Sequence, residues 1–167
     1  MRYKAIDELD YFEFHDAEIK EIKLINDQMI WRVSSINVTT ANTQNNNPKD
    51  MCVENADMIF ENISIERLEF GAYTYSNDRM IKSVEARTAK AEEYVDILTE
   101  TTSGYCFIYQ MDELDKVDGE RYRACFNIDG GAGNFYLTFS FSKSIVEWDS
   151  FNGEAWYVQF IDNTPNH

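Results

Sequence analysis

The stretch YRACFNIDGGAGNFYLTFSF, residues 122–141, decides between two folds. A glycine-rich run behind a strand can cradle a phosphate when it opens a helix, because the helix N-terminus then aims its free N–H groups at the anion. Here the residues after Gly130, Gly131 and Gly133 do not open a helix. Phe135, Leu137, Phe139 and Phe141 alternate with Tyr136, Thr138 and Ser140, the period of two that puts one apolar face on a strand. The glycines therefore read as a hairpin turn, and the chain as an antiparallel β protein.

Working outward, the same alternation marks Tyr105–Gln110, Tyr122–Ile128, Ile145–Asp149 and Ala155–Ile161. From Phe14 to Ile25 the apolar residues are Ala17, Ile19, Ile22 and Leu24. The three-residue step from Ile19 to Ile22 predicts a bulge near Lys20–Glu21. Asn26-Asp27-Gln28 then turns the chain into a second strand, Met29–Thr39. Residues 39–48, TTANTQNNNP, are polar and end in proline, so they read as an exposed loop. The block Cys52–Phe70 carries further strands. Only at residues 84–98 does the pattern become helical: Ala91, Tyr94, Val95 and Leu98 fall on one face and Ala86 and Ala89 favour a helix.

About nine strands with short connections predict a mainly β (α+β) fold, an antiparallel β-sandwich or a flattened open barrel, with one main helix at about 84–98. The 167 residues suit one domain over 1–162, with 163–167 as a frayed tail. The formal charge of -15 repels nucleic-acid backbones and anionic membrane surfaces. Eleven Phe, ten Tyr and three Trp place that charge on a folded surface, since an acidic disordered chain lacks such apolar area. The acidic N-terminus has no signal-like apolar run, and three cysteines, Cys52, Cys106 and Cys125, form no CxxC pair. A reducing, cytoplasmic setting is expected, with no cofactor and no metal. Asp112 to Glu120, DELDKVDGE, lacks the residue order of a calcium loop.

Histidine is scarce, at His15 and His167 only, so any base-assisted nucleophile would have to use His15. His15 stands beside Asp16, but neighbours on a strand point to opposite faces. On that ground Asp16 is expected to anchor a turn and His15 to pack half-buried. No enzyme is expected. Two surfaces remain as candidates. Carboxylates at Glu92, Glu93 and Asp96 on the helix, and at Asp112, Glu113, Asp115, Asp118 and Glu120 in an acidic loop, would suit a basic protein partner. Alternatively, a hairpin turning at Asn152-Gly153 would gather Trp148, Phe151, Trp156 and Tyr157 into a hydrophobic core or a platform for a carbohydrate or small molecule.

FEFHDAEIKEI at 12–22, the hairpin into IWRV at 30–33, and YLTFSFSKSIVEWDSFNGEAWYV at 136–158 resemble small uncharacterised Gram-positive bacterial proteins of an "FHDA" type, which are similar to immunity proteins encoded beside polymorphic toxins. The resemblance covers both ends of the chain. It implies a non-catalytic acidic module that neutralises a basic, nuclease-type toxin, with Phe14, His15, Asp16 and Ala17 and the Trp148–Trp156 hairpin defining the fold.

Overall fold

The structure is a computed structural model that describes residues 1–77 and 80–162, the side chains of 74–77, 80–82, 161 and 162 excepted. The hairpin read from residues 122–141 is present. Strand β13 (Arg121–Gly130) pairs antiparallel with β14 (Gly133–Phe141), from Gly130 opposite Gly133 to Tyr122 opposite Phe141. Its glycines serve close packing. A Cβ on Gly130 would lie 2.5 Å from both the carbonyl and the hydroxyl of Thr101, and one on Gly131 would lie 2.6 Å from the Glu100 carbonyl. Those atoms end helix α1 (Tyr94–Thr101), which seats its last turn on the hairpin.

The remaining strands, in chain order, are β1 (Tyr3–Ile6), β2 (Phe12–Glu13), β3 (Ala17–Ile25), β4 (Gln28–Ser34), β5 (Ile36–Val38), β6 (Met51–Val53), β7 (Ala56–Glu61), β8 (Ser64–Phe70), β9 (Tyr73–Asn77), β10 (Met80–Val84), β11 (Arg87–Thr88), β12 (Cys106–Val117), β15 (Lys143–Trp148) and β16 (Gly153–Glu154); a short helix, α2 (Val158–Asp162), follows. With β13 and β14, eight of them form one ten-stranded antiparallel sheet in the order β1-β15-β7-β4-β3-β12-β13-β14-β8-β11. A second sheet runs β16-β6-β5-β2, and β9 with β10 makes a two-stranded ribbon.

The large sheet folds over on itself. Trp31 of β4 meets Phe126 of β13 with ring centroids 4.9 Å apart, and Phe60 of β7 meets Phe139 of β14 at 4.9 Å and Phe141 at 5.2 Å. Strands distant in the sheet order therefore share one core, as in a sandwich, without closing into a barrel. The fold line is the junction of β3 with β12, which pair only at Phe107 with Glu18 and Ile108 with Ala17. Bulges lie on both sides of it, between Ile19 and Glu21 on β3 and between Ile108 and Gln110 on β12. Bulges raise local twist and bend a strand, and the one at Lys20 is the bulge that the Ile19-to-Ile22 step predicts.

Four expectations need correction. The helix is shorter than 84–98: Val84 ends β10, and Arg87 and Thr88 pair with Phe70 and Glu69 of β8. Pairing with the sheet edge outweighs alanine's modest helix propensity. Arg87 also lies over the Phe70 ring at 4.6 Å. The helix starts only after Lys90, whose N–H is accepted by the Glu93 carboxylate at 2.7 Å. The acidic run 111–120 is no loop, since β12 continues to Val117 and only 118–120 turn. Residues 155–161 form a turn leading into α2 in place of a strand. Finally, the polar loop at 39–50 is anchored by its asparagines. The Asn45 amide donates to the carbonyls of Val38 at 3.0 Å and Lys49 at 3.0 Å, and Asn42 and Asn45 are buried. Residues 163–167 lie outside the described residues.

Candidate functional site

Strand β12 carries a surface that runs from aromatic to acidic. It has two register shifts against β13, at Ile108/Gln110 and at Met111/Glu113. Each bulge puts two residues opposite one. The inward residues are then Ile108, Met111 and Leu114, three apart, while Tyr109 with Gln110 and Asp112 with Glu113 emerge in pairs. The outward edge reads Tyr105, Phe107, Tyr109, Gln110, Asp112, Glu113 and Asp115. Its aromatic end is solvent-facing, with Tyr105 60%, Phe107 38% and Tyr109 45% exposed. Tyr105 and Phe107 stack at 6.1 Å. Phe107 is flanked by carboxylates on both neighbouring strands, Glu18 of β3 and Asp129 of β13. Towards the acidic end, the Gln110 amide bonds the Asp112 carboxylate. Arg123, opposite Asp115, is tied to Glu66 at 2.8 Å.

The aromatic surface continues across the fold line. Residues 14–17 form a turn, with the Ala17 N–H donating to the Phe14 carbonyl at 2.9 Å. Asp16 takes the left-handed conformation, φ 63°, which aspartate tolerates better than most residues. The turn overrides the strand geometry expected for the pair: His15 Nε2 lies 3.7 Å from Asp16 Oδ2. The His15 side chain is half-buried, 47% exposed, and its Nδ1 contacts the Tyr109 carbonyl at 2.8 Å. Trp156 stands 6.3 Å from that ring and 6.2 Å from Phe160.

The aromatic hairpin expected at 148–157 does not form. Strand β15 pairs with β1 and β7, whereas β16 joins β6, so Asn152-Gly153 leads into a different sheet. Trp148 is fully buried against Tyr3, Phe12 and Phe151, at 5.4, 5.8 and 5.9 Å. It belongs to the core, and burial leaves it no face for a sugar. Trp156, 52% exposed, and Tyr157 sit apart from it. The Tyr157 hydroxyl donates to Asp50 at 2.9 Å. Burial, then Asp50 and Glu13, push its phenol well above the usual range.

The predicted carboxylates fall into separate groups. Asp112, Glu113 and Asp115 share the β12 edge, and Asp118 and Glu120 occupy the turn beyond it. Glu92 and Asp96 lie on the first turns of the helical segment, whose last turn reaches the opposite end of β12, where Cys106 pairs with Gly130 of β13. With its two bulges discounted, the strand between spans about 30 Å at the usual rise. Glu93 is engaged locally: the Lys90 N–H, and then Arg87 at 3.1 Å, hold its carboxyl below the ordinary range. The aromatic half of the β12 edge was missed at the sequence level. Its signal is the spacing of Ile108, Met111 and Leu114, which is neither two nor 3.6 and marks a bulged strand.

Among the described residues no three His, Cys, Asp or Glu side chains converge as metal ligands do, and no helix is long and apolar enough to cross a membrane. The three cysteines are free. No family model, curated protein or solved structure matches the chain.

Proposed function

We propose that this chain is a non-catalytic binding module for a basic protein, acting as an immunity protein does on a basic, nuclease-type toxin, and that it works in the cytoplasm. The observation that carries this reading is the outward edge of β12, where exposed Tyr105, Phe107 and Tyr109 run into Asp112, Glu113 and Asp115. From Tyr105 to Asp115 this edge is about 27 Å long, since its two bulges add residues without adding rise, the scale of one side of a standard protein interface. Tyrosine supplies much contact area at low entropic cost, and aromatic residues dominate binding hot spots. The carboxylates add steering: a complementary field raises association rates by about 10- to 1,000-fold and is screened by salt.

The test is surface binding kinetics with the product of the neighbouring gene, which this reading expects to be a basic toxin. A complex is expected whose association slows with added salt. Reversing Asp112, Glu113 and Asp115 to lysine should slow association about tenfold or more. Tyr105→Ala with Phe107→Ala should instead speed dissociation. No complex, or one whose association ignores salt and all five substitutions, would overturn the reading.

A further inference from the structure

The turn at 14–17 and the start of α2 build a corner that the β12 edge alone does not explain. Asp50 engages Tyr157, but the neighbouring Trp156 leaves its indole half in solvent. Beside it, His15 Nδ1 meets the Tyr109 carbonyl at 2.8 Å. A carbonyl only accepts, so Nδ1 carries the hydrogen. In a neutral ring, Nε2 is then an acceptor, and it faces a second acceptor, Asp16 Oδ2, 3.7 Å away. Glu13 adds another carboxylate next to the turn, accepting the His15 N–H at 3.2 Å. Two acceptors converging beside an exposed indole ask for a flat donor with several N–H groups.

We propose that this corner is a guanidinium-receptive anchor, in which an arginine of the basic partner stacks on Trp156 and donates to Asp16 Oδ2 and His15 Nε2. The proposal rests on the binding reading above and names the side chain that the partner brings. Arginine suits it better than lysine. Its planar fork reaches two acceptors while its face lies on the indole, whereas an ammonium offers one point charge. The left-handed Asp16 holds its carboxylate at the ring, since the Asp16 N–H is itself bound to the Ile108 carbonyl at 3.0 Å.

Trp156 reports on itself, because Trp31 and Trp148 are fully buried. Hexa-arginine and hexa-lysine peptides, and L-arginine amide, would be titrated at low salt with emission, acrylamide quenching and calorimetry as readouts. Hexa-arginine should protect the exposed indole from acrylamide and bind about three- to tenfold more tightly than hexa-lysine. Asp16→Asn, which keeps the turn, should remove most of that preference, and Trp156→Ala should remove both the preference and the signal. Equal affinities with Trp156 still open to acrylamide would overturn the anchor. So would the absence of any peptide binding. If L-arginine amide saturated the signal at the peptide's concentration, the occupant would be a small guanidinium compound and the docking assignment would fail. The underlying reading fails separately. Arginine-selective protection without any complex with the basic toxin domain would leave the anchor and remove the partner, and charge reversal on β12 should weaken both peptides alike.

Discussion

Replacing Gly130 by alanine tests how the hairpin and helix α1 are joined. The added Cβ would sit 2.5 Å from the Thr101 carbonyl oxygen and hydroxyl and 3.1 Å from Cys106 Sγ. Ordinary contact begins near 3.4 Å, so the helix terminus would have to retreat by close to an ångström. Its neighbours cannot easily allow that, because Leu98 and Thr101 are buried and the Gly131 N–H is bound to the Thr101 carbonyl at 2.9 Å. Overpacking of this kind costs about 1–3 kcal/mol, or a fall in Tm of about 2–12 °C for a chain of this size. Thermal and urea unfolding, followed by circular dichroism, would measure it. Thr101→Ala in the same chain should recover only part, since the carbonyl stays in place. Two other glycines act as controls. Gly104→Ala meets nothing within 4 Å and should be neutral or stabilising by up to about 1 kcal/mol. Gly119→Ala meets nothing either but holds φ at 67°, and should cost about 1–2 kcal/mol of backbone strain alone. A Gly130→Ala variant as stable as Gly104→Ala would refute the seating of the helix on the hairpin.

Three further outcomes are expected. Asn37 is 1% exposed and neither amide atom has a hydrogen-bond partner; Asn37→Leu should raise stability by about 1–3 kcal/mol in urea titration, and a loss of that size would show the amide to be satisfied. Burial pushes the Cys106 thiol up to about 11 and also raises Cys52 and Cys125. In alkylation at pH 8, followed by peptide mapping, Cys52 should react first and Cys106 only on unfolding; early labelling of Cys106 would contradict its packing. The third concerns pH. A carboxyl lowered in the folded state contributes stability above its unfolded pKa, about 4.3 for glutamate, and loses it as pH falls through the folded value. Glu93→Gln should therefore be less stable than the parent at pH 7, with the gap closing in acid melts, and a gap that persists at pH 2 would not come from this carboxylate.

Where local alternation and turn chemistry agree, the residues announce their structure. Phe135 to Phe141 behind the glycines, the hairpin at Asn26–Gln28 and the bulge at Lys20 are all visible from spacing, because each depends on neighbours within a few positions. The errors share one cause. Ala86 and Ala89 look helical until β8 offers a free edge, and Asn45 looks like open loop until carbonyls from residues 38, 39 and 49 surround its amide. The candidate site was half legible. The carboxylates of Asp112, Glu113 and Asp115 stand out by charge, but their placement on a strand continuous with Tyr105, Phe107 and Tyr109 depends on two bulges set by pairing with β13.

Composition, charge and alternation, taken alone, determined an acidic, aromatic-cored antiparallel β chain with one main helix, since those properties follow from each residue and its nearest neighbours. The tertiary structure decided which aromatics are core and which are surface. Trp148 and Trp156 are eight residues apart and alike in the sequence. One is sealed beneath Tyr3 and Phe12 and the other stands beside His15, because β15 and β16 belong to different sheets, and burial is set by what packs from elsewhere in the chain.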